Sequence, residues 1–144
     1  MPSYQHLLVA VDLSEASDTV VEQARAVAGA FNARLSLLHV VEFIPVDPAG
    51  EALLPPPVDL EQELLDSARG RIGELARRHG LESTRTRVEI GNIKSEVARV
   101  ANELGADLIV LGNRERHGLA LLLGSTENSV MHAAPCDVLA IRIN

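Results

Sequence analysis

A chain of 144 residues that is 47 % hydrophobic has enough apolar surface to bury one core without disulfide or metal staples. Its net charge of −7 repels nucleic acid and anionic lipid over most of the surface, and Tyr4, Phe31 and Phe43 are too few rings for a base-stacking platform. The one cysteine, Cys136, excludes an internal disulfide and a multi-cysteine zinc site and fits a reducing compartment.

The apolar run His6–Val11 stops at Asp12 and reads as a strand buried on both faces. Ser14 is placed to cap the next helix, in which Val20, Val21, Ala24, Val27, Ala28 and Phe31 recur at helical spacing. A second apolar strand follows at Leu35–Val41. Residues Glu42–Val58 then carry Pro45, Pro48, Gly50 and Pro55 to Pro57, the composition of a long connection. Asp59 opens a helix with Leu60, Leu64, Leu65, Ala68, Ile72 and Leu75 along one face, and Gly80 closes it. Thr84–Ile90 alternates polar and branched residues, as expected of a half-exposed strand near a sheet edge. A third helix is marked by Val97, Val100, Ala101 and Leu104, and Leu108–Leu111 is a further buried strand ended by Gly112. A helix at Thr126–Ala133 and a last strand at Val138–Ile143 complete the order.

Apolar strands alternating with helices predict an α/β fold: a single doubly wound, five-stranded parallel sheet of Rossmann-like type, order 3-2-1-4-5, with helices on both faces. Ligands in such sheets sit outside the carboxyl ends of the strands where the order reverses. That position belongs to Asp12 and to the segment beginning at Gly112. The segment holds Gly112, Gly124, Ser125 and Thr126 just ahead of a helix N-terminus, with Arg114, Arg116 and His117 adding positive charge. Glycines permit close backbone approach, and a helix start favours anions, so the segment fits a phosphate group. The alternative is ordinary: Gly124 as a turn residue, Ser125 and Thr126 as an N-cap. Neither a Walker A motif nor a Gly-x-Gly-x-x-Gly dinucleotide turn is present. Asp12 has two readings, a ribose ligand or a turn residue with Ser14. His39, inside an apolar strand, reads as a hydrogen-bonded core histidine. The other histidines show no metal-ligand spacing, and Cys136 reads as a structural thiol.

The stretches HLLVAVDLS (6–14), LLHVV (37–41), ADLIVLG (106–112) and LLLGSTENSVMHAAPCDVLAI (121–141) resemble the universal stress protein family, closest to its A-type subgroup, over essentially the whole chain. The resemblance implies one universal stress protein domain, 1–144, that binds an adenine nucleotide (ATP or AMP, with or without Mg²⁺) and acts as a regulatory homodimer in stress response. It places Ala10 and Val11 along the adenosine, Asp12 at the ribose and Val40 against adenine. Gly112, Gly124, Ser125 and Thr126 take the phosphates, with Leu111, Arg114, Glu115 and Gly118 completing the candidate set. Glu115 departs from the family pattern, standing where a second glycine belongs, and the spacer 116–123 is shorter than usual. A carboxylate about 4 Å from a phosphate repels it by roughly 1 kcal/mol in water and roughly 4 at an effective dielectric of 20. Arg114 and Arg116 can offset that, and a carboxylate there can help hold Mg²⁺; a solvated, outward-facing Glu115 is the alternative.

The apolar strand Val138–Ile143 is expected at a sheet edge, which invites pairing, and in the family it forms the dimer interface. Two further functions compete with the nucleotide-binding regulator: an A-type stress protein that acts through protein contacts alone, and a slow ATP hydrolase. For an enzyme, the sequence offers no positioned general base or metal cluster. A phospho-acceptor regulator would need a lysine after the last strand, which this sequence lacks. The first residues lack a signal-peptide pattern and no apolar run approaches transmembrane length, so a cytoplasmic protein without membrane or nucleic-acid partners is expected.

Overall fold

The apolar runs become the strands of one sheet. A computed structural model describes residues 4–42, 58–114 and 126–143. Within them β1 (His6–Ala10), β2 (Arg34–Val41), β3 (Arg85–Ile90), β4 (Leu108–Arg114) and β5 (Asp137–Ile143) alternate with α1 (Ser17–Phe31), α2 (Val58–Arg78), α3 (Ile93–Leu104) and α4 (Thr126–Ala133). All pairings are parallel and the order is β3-β2-β1-β4-β5, as the pattern predicts.

Alternate strand residues divide the core into two layers. Leu7, Val9, Leu37 and Val110 pack on α1 and α2 through Val21, Ala24, Ile72 and Leu75. Leu8, Leu38, Ile109 and Leu111 pack on α3 and α4 through Val97, Val100, Ala101 and Val130. Burial on both faces is why β1 and the first half of β4 read as continuous apolar runs. No helix among the described residues is long and apolar enough to cross a membrane.

Beyond one-residue shifts at element ends, three features differ from expectation. First, β4 does not stop at Gly112 but runs to Arg114, because β5 is long enough to pair it through Gly112↔Ile141, Asn113↔Arg142 and Arg114↔Ile143. Second, Ser14 does not cap α1: the N-cap is Ala16, without a side-chain bond. Third, the apolar stripe of α2 is buried only from Ala68 onward, and Leu60 is 37 % exposed. A 21-residue helix spans about 31 Å, whereas the five residues of β1 cover about 17 Å. α2 is therefore longer than the strands of the sheet. The proline-rich connection 43–57 lies outside the described residues.

At the opposite edge, Asp107 accepts backbone N–H bonds from Gln5 and His6 at 2.9 to 3.1 Å. The buried His6 ring donates from Nδ1 to the Leu104 carbonyl (3.2 Å), which leaves Nε2 to accept from the Ser36 hydroxyl at 2.7 Å. Burial holds the His6 pKa below its ordinary 6.5, with Arg34 adding to the effect and the Leu104 carbonyl and Asp107 opposing it. Above pH 6.5 the ring is neutral in both folded and unfolded chains. As pH falls through that value the unfolded chain takes up a proton that the fold resists, so stability is lost. Denaturant titrations on both sides of pH 6.5 should show a steeper acid-side loss for the wild type than for His6→Gln.

Candidate functional site

The strand order reverses between β1 and β4, and there the two helix layers part. The chain leaves β1 after Ala10, which pairs with Leu38, while β2 continues to Val41 and β4 to Arg114, so Asp12 lies at the carboxyl edge between them. Ala10, Val40 and Leu111 form the floor on the α3 side and Val11 the floor on the α1 side. The chain leaving β1 is tied to β2 by the Val11 amide, which donates to the Leu38 carbonyl (2.8 Å). The His39 ring donates from Nδ1 to the Val11 carbonyl at 2.8 Å. His39 is thus the hydrogen-bonded histidine its sequence context implies, and its bond fixes the chain just before Asp12.

Asp12 takes the turn role that was one of its two readings. Its Oδ1 accepts from the Ser14 amide (2.9 Å), the Ser14 hydroxyl (2.6 Å) and the Ser17 hydroxyl (3.1 Å). This Asx-type turn carries Leu13 at φ 62°, a left-handed conformation that costs a residue with a Cβ about 1–2 kcal/mol. Arg71 of α2 donates from Nη2 to the Leu13 carbonyl at 2.6 Å. The pair Asp12 and Ser14 at i and i+2 was a legible turn signal. Arg71, 58 positions away, had no local signal at all.

Gly112 also has close side-chain neighbours. A Cβ there would collide with Ile143 Cδ1 and press on Val20 Cγ2 at 3.1 Å. A side chain at 112 would therefore require the tip of Ile143 to move and Val20 to give slightly. Ala10, Val11, Asp12, Val40, Leu111 and Gly112 are brought to the edge where the order reverses, Arg114 ends β4 and Thr126 opens α4. Glu115, Gly118, Gly124 and Ser125 lie outside the described residues, as do Arg116 and His117.

On the remaining chemistry, the Cys136 thiol is half-buried, and burial together with Asp137 and Asp107 pushes its pKa up, away from a reactive thiolate. Among the described residues no group of three or more His, Cys, Asp and Glu side chains is placed to hold a metal ion.

Residues 3–142 match the model of the universal stress protein family. The chain belongs to that family. It is 42 % identical over 138 residues, 96 % of each chain, to universal stress protein A homolog 1 of Coxiella burnetii. Among solved structures it is similar to the universal stress protein UspA from Lactobacillus plantarum, with 29 % identity, a TM-score of 0.72 and coverage of 99 % of this chain and 100 % of that one. It is also similar to a universal stress protein solved in complex with cAMP, with 26 % identity, a TM-score of 0.66 and coverage of 97 % and 98 %. Membership and the doubly wound sheet agree with what the motifs implied.

The Gly112 contacts give a direct test. Gly112→Ala should destabilise the fold by about 1 kcal/mol through overpacking. Removing the opposing methyl with Ile143→Val in the same chain should recover most of that loss in urea unfolding.

Proposed function

We propose that this universal stress protein is a single-domain regulator that binds an adenine nucleotide, AMP or ATP, where the strand order reverses, and works as a homodimer. The observation that carries the reading is the placing of the oriented Asp12 carboxylate at the carboxyl edge, between β2, which runs to Val41, and β4, which runs to Arg114. Such a place receives ligands in open parallel sheets. The cAMP complex of a relative with 26 % identity supports an adenine nucleotide as the ligand class. In this reading Asp12 accepts from the ribose hydroxyls; a carboxylate accepts at both oxygens, so a turn role and a ribose role are compatible. Ala10 and Val11 line the adenosine. The side chain of Val40 is packed in the core, 7 % exposed, which leaves its backbone to meet adenine. Gly112 and the segment from Arg114 to Thr126, with Glu115, Gly118, Gly124 and Ser125, take the phosphates, with or without Mg²⁺. Glu115 opposes negative charge, so AMP and ADP bind at least as well as ATP.

The dimer reading draws on the contrast between the two sheet edges. The β3 edge is charged: Arg87 pairs with Glu89 and Glu103, and Arg99 with Glu89, Glu96 and Glu103. Such an edge resists strand addition. The β5 edge offers half-buried Val138, Leu139, Ile141 and Ile143 around exposed Ala140, and a second copy pairs there. A second reading, a family member acting through protein contacts without nucleotide, follows from Glu115 if the carboxylate excludes phosphate. A slow ATP hydrolase would release phosphate from bound ATP.

Calorimetric titration of nucleotide-free protein with AMP, ADP and ATP, with and without Mg²⁺, decides between these readings. Heat and a thermal shift are expected with all three nucleotides; their absence throughout overturns nucleotide binding. Asp12→Ala should weaken all three alike, by about tenfold for a lost charged hydrogen bond, and Glu115→Gly should raise ATP affinity more than AMP affinity. For the dimer, sedimentation at micromolar protein should give twice the chain mass, and Ala140→Lys should return the monomer.

A further inference from the structure

The turn after β1 is built around one peptide plane. Its carbonyl belongs to Leu13 and accepts from Arg71 Nη2 at 2.6 Å; its N–H belongs to Ser14 and donates to Asp12 Oδ1 at 2.9 Å. Because a peptide unit is rigid and planar, the two ends cannot rotate independently. Rotation of that plane, about Leu13 ψ and Ser14 φ, would withdraw the Ser14 N–H from Asp12. Arg71 opposes the rotation by gripping the other end with a charge-assisted bond. Its own base is fixed, because Ile72 and Leu75 beside it on α2 are 1 % and 2 % exposed.

We propose that Arg71 is a positioning residue of the nucleotide site, setting the orientation of the Asp12 carboxylate through the Leu13–Ser14 peptide. The inference rests on the adenine-nucleotide reading above. It ties the ribose end of the site to α2. Arg71 also lines a groove of about 340 Å³ between the turn and α2, beside Ser14, Ser67 and Gly70. An apolar side chain of similar length is therefore accommodated without repacking.

The test titrates AMP and ATP into wild type, Arg71→Met, Arg71→Lys, Asp12→Ala and the Asp12→Ala/Arg71→Met double variant, and follows exchange of the Ser14 amide. Arg71→Met should weaken AMP and ATP by the same factor, about tenfold for a charged hydrogen bond, and should speed Ser14 exchange. Arg71→Lys should restore most of both, and Arg71→Met should add little once Asp12 is alanine. Unchanged affinity in Arg71→Met overturns the proposal. So does a loss larger for ATP than for AMP, which would make Arg71 a phosphate contact, or losses that add in the double variant. If the wild type binds neither nucleotide, the nucleotide reading falls and the positioning role with it. Binding by the wild type with no effect of Arg71→Met removes the positioning role alone.

Discussion

Three residue pairs, Leu7↔Leu108, Leu8↔Ile109 and Val9↔Val110, join the two halves of this sheet. The strands they connect are about a hundred positions apart in the chain, so the pairing closes a long loop and its entropy must be recovered by burial. Leu7, Leu8, Val9, Ile109 and Val110 are all fully buried. Asp107 adds a polar latch by accepting the Gln5 and His6 amides as β4 begins. Everything at the carboxyl edge follows from that seam. The helices of the two halves leave for opposite faces, and at the carboxyl edge the gap between them is where backbone ends from both halves meet.

What fills that place is a turn under tension rather than a relaxed loop. Leu13 in a left-handed conformation is held by Asp12 from one side and Arg71 from the other, and His39 anchors Val11 just before it. Strain of this kind persists only where the surroundings over-determine the backbone. Each of those bonds comes from a different element: the turn itself, β2 and α2. The orientation of the Asp12 carboxylate is therefore a property of the packed domain, not of the segment that carries it.

The two sheet edges solve the same problem in opposite ways. Unpaired strand edges template association. On β3 the answer is charge, with Arg87, Glu89, Arg99 and Glu103 in one ion-pair network. On β5 it is not: the exposed and half-buried side chains are mostly apolar, and only Asp137 and Arg142 bring charge. The two edges of one sheet thus differ in the chemistry they offer to a further strand.

Most of the architecture was legible in the sequence because it is periodic. Doubly buried strands write continuous apolar runs, helices write a stripe, and alternation of the two implies a parallel sheet whose order follows from right-handed crossovers. The family was legible for a different reason, the long block from Leu121 to Ile141. What tertiary structure decided are contacts between distant positions. β4 runs past Gly112 only because β5 is there to pair with it. Gly112 sits under the side chains of Ile143 and Val20, neighbours that its place in the sequence does not reveal. Leu60 continues an apolar stripe but stays exposed because α2 is longer than the sheet it covers. Asp12 was legible as a residue of interest and even as a turn former, but its turn is also held by Arg71, 58 positions from the Leu13 carbonyl it grips. Periodicity and capping are local and leave their mark in the order of residues; a hydrogen bond between two elements leaves none until the chain has folded and brought them together.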